Sequence, residues 1–381
     1  MYCLDYVTPQ NLTKAQNETG KEYYCSKALN ILEIPDGVIV SGASGGPGVF
    51  SRSGYIEESN FHSGFGKPGF RKEEKAEESD EEVVFIGSFS GTWGHCITDN
   101  LKHLWILLNP DNRLNSLRFA YTMLTEEETL PEAFLEMVEV LGKSRAELVR
   151  IRGCAKFRKV YIPEPCFFCV PGGPLFQSGS RYYTSEYKTL IGRIAEHAET
   201  KEAPAKIYFT RTQLPDQTRD MGEKDIEDLF RDAGFAIVAP EAIGVFDQIS
   251  LLKGCQTFAT TQGSVSLNAV FCKPETEVIL INKQNYITPY QLAVNHARGG
   301  LTTVIDANRS VLNPTDTPWT GPFFMYKSRE LCRWAGIRYP GFPLIPFLKY
   351  LKRGLSDRNL RTKLFKNAFR RLISSDRESS K

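Results

Sequence analysis

The second half of the chain alternates two kinds of apolar pattern. Short runs rich in β-branched and aromatic residues fall at Ile207–Thr210, Phe235–Val238, Thr257–Thr261, Glu277–Ile281 and Thr302–Ile305. Between them, apolar residues spaced three and four apart predict helices at Glu223–Asp232, Val245–Lys253, Ser264–Phe271 and about Thr288–Ala297. Strand–helix alternation with short connections predicts a parallel sheet covered by helices on both faces. Ligands of such sheets sit beyond the carboxyl ends of the strands, which directs attention to Arg211, Pro240–Glu241, Gln262–Ser264 and Asn282.

One stretch, Gly244 to Phe271, packs a helix, a strand, a glycine turn and a second helix into 28 residues. A strand that turns through Gly263 into a helix presents backbone N–H groups at its end, a ready anion site. The alternative is an ordinary strand-to-helix turn without a ligand.

The first half is less regular. Residues 1–30 are polar and weakly patterned, and Asp36–Phe50 predicts a hairpin or irregular edge structure around the turn GASGGPG, which lacks the Lys-Ser/Thr of a phosphate loop. The run RKEEKAEESDEE at 71–82 predicts a solvated face or loop, and VVFIG after it a buried strand. A helix is then expected from about His95, with Leu101, Leu104, Trp105 and Leu108 as its buried stripe. His95 and Asp99 would share one face of its first turn, and His103 another part of the cylinder. Strand, helix, strand and strand follow between Leu117 and Pro163, then a loop over Pro163–Gly179 and a helix over Arg181–His197.

Length and composition then narrow the class. At 381 residues, two domains are the better expectation. Apolar residues at 41% and aromatics at 12% can build substantial cores, and a net charge of +2 leaves any basic surface to be local. The nine cysteines read as reduced, buried small residues, because Met1–Gln10 lacks the pattern of an export signal. Cys166 and Cys169 have CxxC spacing without a second pair, so no metal is expected there. No apolar run is long enough to span a bilayer.

The local basic surface is the tail. Between Lys349 and Ile373 there are nine Lys/Arg and one acidic residue, around Leu360, Leu364, Ala368 and Leu372. A basic amphipathic helix reads as a membrane-surface element or as a helix docked on the body with a solvated basic face. The expected organisation is therefore α/β with two Rossmann-like domains, split at 1–180 and 181–310, a return segment at 311–342 and a basic helical tail at 343–381. A cytoplasmic chain is expected, peripheral on the inner face of the plasma membrane, with no nucleic-acid partner.

Three segments together resemble glycosyltransferase family 61, in its bacterial capsular or exopolysaccharide type. WGHCITDNLKHLW (93–105) is similar to the family's aromatic-x-His-(x)3-Asp helix. IYFTRTQLPDQTRDMGEKDIEDLF (207–230) is similar to its strand, two arginines and Glu opening a helix. VFDQISLLKGCQTFATTQGSVSLNAVF (245–271) is similar to its acidic-Gln pair, helix and His-Gly-(x)4-Asn-(x)2-Phe turn. Gln262 stands where the family usually has His, and an amide donates a hydrogen bond but does not titrate.

The resemblance implies a GT-B-like pair of domains, 1–180 on the acceptor side and 181–310 binding a nucleotide sugar. It also implies inversion at the anomeric carbon without a bound metal or other cofactor, and a glycan or lipid-linked glycan acceptor. Such a transfer needs a base for the acceptor hydroxyl and cationic groups for the departing diphosphate. His95 is the expected base, with Asp99 orienting it or acting itself. Arg211 and Arg219 are the expected cations, assisted by the backbone N–H groups of Gly263 and Ser264. The alternative for these arginines is an ion pair with Asp216 or Asp220. Glu223 would hold an arginine or accept from a ribose hydroxyl. Gln262 would bind phosphate or sugar, and Asn268 and Gln248 would fix the turn or touch the donor. A catalytically inactive nucleotide- or glycan-binding protein of the same fold is the competing expectation.

Overall fold

The computed structural model describes residues 1–42, 46–61, 75–169, 181–214, 220–312 and 323–356. Two sheets organise the chain. The first is a six-stranded sheet, parallel throughout, in the order Tyr2–Tyr6, Thr302–Asp306, Glu277–Asn282, Thr257–Thr261, Lys206–Phe209, Ala236–Val238. Its central strands are buried on both faces, as the run Val278–Ile281 requires.

The strand Tyr2–Tyr6 carries no clear periodicity, yet it closes the edge of this sheet beside Thr302–Asp306. The expected unit 1–180 therefore gives its first strand to the sheet of 181–310. Asp306 holds the following turn in place, accepting hydrogen bonds from the Thr8 amide (2.9 Å), the Thr8 hydroxyl (2.7 Å) and Asn11 (2.8 Å).

The second sheet is mixed. Cys154–Pro163 lies at its centre, antiparallel to Ile31–Pro35 and Val38–Val40 and parallel to Glu77–Phe89. Glu77–Phe89 continues in parallel to Arg118–Met123, and that strand to Leu148–Arg150. Val38–Val40 and Gly48–Ser51 form the expected hairpin. Of the two readings of the acidic run, its 77–82 part is the solvated face, carried on a strand and not on a loop. Its backbone pairs with Ala155–Lys159, and its carboxylates meet basic residues across the strands, as in Lys156–Glu78 (3.6 Å) and Arg158–Glu82 (3.2 Å).

Two predicted helices start elsewhere. Arg181–Tyr183 pairs with Phe167–Cys169, so that helix begins at Ser185 and runs to Glu196. The segment from Trp93 is one α-turn, a π-turn at Cys96–Asn100 and a 3-10 stretch at Leu104–Leu108. Local side-chain bonds compete with the helical ladder here: Thr98 Oγ1 donates to the Gly94 carbonyl (2.9 Å), and Asn100 Nδ2 to the Ser90 carbonyl (3.0 Å).

One core joins the two sheets. Ile97, Leu101 and Leu104 pack in the same cluster as Tyr187, Leu190 and Ile194 of the Ser185–Glu196 helix and Val270 and Leu280 of the parallel-sheet side. Each such side chain contributes about 2 kcal/mol of burial. The expected stripe residues Trp105 and Leu108 are only half-buried at its edge. His103 is packed within the body, its Nδ1 2.6 Å from the Pro163 carbonyl.

Candidate functional site

The order of the parallel strands locates the site. From Lys206–Phe209 the chain moves to one side, to Ala236–Val238, and then crosses to the other, to Thr257–Thr261. That reversal opens a crevice at the carboxyl ends of Lys206–Phe209 and Thr257–Thr261. Arg211 follows the first of these strands and Gly263 the second.

Gly263 has φ +152° and ψ −159°, a region populated almost only by glycine. A Cβ built on it would lie 3.6 Å from Lys283 Nζ and 3.9 Å from Arg211 Nη1. The turn thus faces two cations. Between them sits Asp220, whose Oδ2 accepts from Lys283 Nζ at 2.8 Å and from Arg211 Nη1. Burial pulls the Lys283 ammonium below its usual range, Asp220 opposes that, and the Arg211 charge adds to it.

Glu223 opens the helix Glu223–Asp232 and accepts the backbone N–H of Arg211 at 3.0 Å. Burial, and then the Asp220 charge, push its carboxyl up to about 7 against the pull of Arg211 and Lys283. One turn along the same helix, Glu227 behaves in the opposite way. Burial raises it, but hydrogen bonds from Lys224, Thr212, Thr210 and Arg231 outweigh burial and bring it to about 2. A cleft of about 670 Å³ opens beside this group, lined by Arg211, Thr212, Asp220, Gly222, Glu223 and Glu227 among others.

The second half of the site hangs from the mixed sheet. His95 Nδ1 is 2.6 Å from Asp99 Oδ2, and Asp99 Oδ1 accepts from the Tyr290 hydroxyl at 3.3 Å. Asp99 is 1% exposed and His95 18%, so the carboxylate is enclosed and the imidazole reaches a surface. Phe61 and Tyr290 meet the imidazole edge-on, with ring centres 5.2 and 5.9 Å away. Beneath it, Lys102 is buried and donates to the carbonyls of Asn60 (2.7 Å) and Phe61, which fixes that aromatic wall.

The two halves touch. A Cβ on Gly94 would lie 3.1 Å from Ser264 Oγ and 3.2 Å from both Ser264 Cα and Leu267 Cδ1, so the residue before His95 is seated on the Gly263 turn. Trp93 Nε1 donates to Asn268 Oδ1 at 2.7 Å, and Asn268 Nδ2 to Gln248 Oε1 at 3.2 Å. Gln248 Nε2 in turn reaches the Pro240 carbonyl at 2.8 Å.

Several expected roles change in this geometry. Arg211 is paired with Asp220, the alternative considered for it, though Asp220 lies inside the body and not on its surface. Arg219 lies outside the described residues. Gly263 N–H is not a free donor, because Ser266 Oγ accepts it at 3.0 Å, and the Ser264–Phe271 segment is a 3-10 helix. Glu223 bonds the backbone of Arg211 and not its guanidinium. Gln262 is fully buried, with Nε2 on the Tyr286 carbonyl at 3.2 Å, which removes its side chain from the cleft. Asn268 and Gln248 brace the Trp93 segment against the turn. Asp247 is a surface residue paired with Lys201 at 2.9 Å. Lys283 is the member that sequence reasoning left out of the cluster, and Asp220 entered it only as an ion-pair partner for the arginines. Lys283 directly follows Asn282, one of the strand ends singled out for inspection, and that position was the available signal.

Fold and site together describe a mixed α/β protein with a charge cluster at a sheet switch point and an imidazole–carboxylate pair docked against it. Residues 93–279 match the family model Glycosyltransferase 61, beginning at Trp93 and ending inside the strand Glu277–Asn282. The chain thus carries a glycosyltransferase family 61 domain over these residues, which supports a glycosyltransferase enzyme. No curated protein matches the chain.

Proposed function

We propose that the protein transfers a sugar from a nucleotide-sugar donor to a hydroxyl of a glycan or lipid-linked glycan, with inversion and without a metal ion, in capsular or exopolysaccharide synthesis. The observation that carries this reading is the seat of Gly94 on Ser264, which brings the His95–Asp99 pair against the turn that faces Arg211. In a GT-B-like arrangement the acceptor lies on the mixed-sheet side and the donor on the parallel-sheet side.

Asp99 accepts the Nδ1 proton and leaves His95 Nε2 as the base. The acceptor hydroxyl gives its proton to Nε2 while its oxygen bonds to the anomeric carbon. The bond from that carbon to the diphosphate oxygen breaks, and its electron pair leaves on the diphosphate, against the Arg211 guanidinium. A single displacement inverts the centre. Fixed cations do here what a divalent ion does elsewhere. The test is a panel of nucleotide sugars, screened first by thermal shift, since a ligand of the native state raises Tm by mass action. Transfer is then assayed with those that bind. A stabilising donor that is transferred supports the reading; stabilisation with neither transfer nor hydrolysis supports a binding protein without turnover.

The C-terminal helix Leu344–Ser356 fits an anionic membrane surface such as the inner face of the plasma membrane. Leu344, Ile345 and Leu348 are exposed, Lys349 and Lys352 lie beside them, and Phe347 and Tyr350 dock the other face on the body. The remainder of the basic tail, 357–381, lies outside the described residues. No helix among the described residues is long and apolar enough to cross a membrane. Retention on vesicles containing anionic lipid, and its loss on neutral vesicles, is the expected result.

A further inference from the structure

We propose that Asp220 is an internal occupant of an anion seat built by Arg211 and Lys283, and that the donor's diphosphate takes its place on those two cations. This rests on the glycosyltransferase reading and names what holds the leaving group.

Lys283 is buried, with its ammonium on Asp220 and over the face of Phe323, 4.5 Å from the ring centre. A buried ammonium is costly unless its charge is matched. In the absence of ligand the match is Asp220, whose single Oδ2 atom serves both cations. The Glu223 carboxylate accepts from the Arg211 backbone N–H at 3.0 Å, a bond that leaves both side-chain cations to Asp220. With Asp220 removed, the seat offers two fixed positive charges, the complement of a diphosphate bridge.

Asp220 is held differently from a structural carboxylate of the same protein. Asp306 takes three bonds on Oδ2, and its Oδ1 accepts from Asn282 at 2.9 Å, so both oxygens are engaged. Asp220 uses one oxygen, and its Oδ1 is buried with no hydrogen-bond partner among the described residues. A carboxylate left half-satisfied in this way loses less on moving than Asp306 would. Its backbone is held in place: Asp220–Met221 pairs with Phe323–Phe324, the Met221 carbonyl accepts the Met325 N–H at 2.7 Å, and Gly222 follows with φ +91°, so the motion required is that of the side chain alone. On the other side of the cations, Gly263 leaves open the space that any side chain would fill.

The test is calorimetric titration of the full chain with pyrophosphate, UDP and GDP, using Asp220→Asn, Lys283→Met and Lys283→Arg, with thermal unfolding of each variant as a control. Asp220→Asn removes the internal competitor and is expected to tighten binding roughly three- to tenfold. Lys283→Met is expected to weaken it at least ~30-fold, as loss of one member of a buried charge pair does. Lys283→Arg keeps the charge and should stay within about fivefold of wild type.

Weaker binding in Asp220→Asn, comparable to Lys283→Met, would show Asp220 to be a fixed buttress and overturn the proposal. Unchanged binding in Lys283→Met overturns it as well. If Lys283→Met does not fold, the two isosteric or charge-conserving variants decide by the same criteria. The expected pattern with pyrophosphate but not with any nucleotide keeps the seat and removes the donor reading. Wild type that binds none of the three ligands overturns the seat.

Discussion

The ends of the two sheets do different work with similar residues. At the mixed sheet, one imidazole and one carboxylate stand close together in an apolar and aromatic setting, with Asp99 enclosed and His95 reaching out. At the parallel sheet, two cations and two carboxylates are crowded together within the body. In the proposed transfer the first arrangement moves a proton. The second holds charge, and the contrast between Glu223 and Glu227 on one helix shows how finely it is set by hydrogen bonds against burial. A sugar transfer needs one of each, and the contact of Gly94 with the Ser264 turn is what makes the two ends one site.

The sharpest way to separate the ends is to remove the proposed base. His95→Ala is expected to lower the transfer rate by about 10²–10⁴, the range for a lost general base, with the loss in kcat. Arg211→Ala acts at the other end. It should cost about 10²–10³ in kcat/KM, as for one preorganised donor to developing charge, and weaken donor binding too.

Glu223→Gln tests the charge cluster without touching chemistry. In the folded protein Glu223 holds its proton up to about 7, whereas an ordinary carboxyl loses it near 4.5. Between those values the native state binds the extra proton, so this residue makes stability fall as pH rises through the window. The penalty is fully present above about 7 and absent below the ordinary range. The amide variant should therefore match wild type at pH 4 and exceed it at pH 8, by up to about 3 kcal/mol from the size of the shift. Urea unfolding at the two pH values measures it, and a pH-independent difference would contradict the assignment.

The smallest effect concerns the joint itself. Trp93→Phe leaves Asn268 Oδ1 without its 2.7 Å donor, at a cost of about 1–3 kcal/mol in stability. Transfer should fall less than in either variant above, because the joint is loosened while both ends keep their groups.

Much of the parallel sheet is legible in the chain because its strands read as short apolar runs and its helices carry one apolar face. The Asp99 partner of His95 is legible for a similar reason, since a spacing of four survives the change from a regular helix to the irregular turn actually formed. Other features depend on partners far away. Tyr2–Tyr6 is a strand only because Thr302–Asp306 offers it an edge, and the acidic run at 77–82 only because Ala155–Lys159 pairs with it. Lys283 gains its place from Asp220, 63 positions earlier, a relation that no local pattern carries. The amide of Gly263 reads as a free donor until Ser266 is seen to cap it.

The central claim is that proton removal and charge holding belong to opposite ends of one site. The measurement that tests it most directly is a paired one: donor-nucleotide affinity by calorimetry and transfer rate, both on His95→Ala and Arg211→Ala. The account predicts that His95→Ala keeps the affinity within about threefold while losing transfer, and that Arg211→Ala loses both. Transfer at the wild-type rate in His95→Ala, or equal loss of affinity in the two variants, would contradict it.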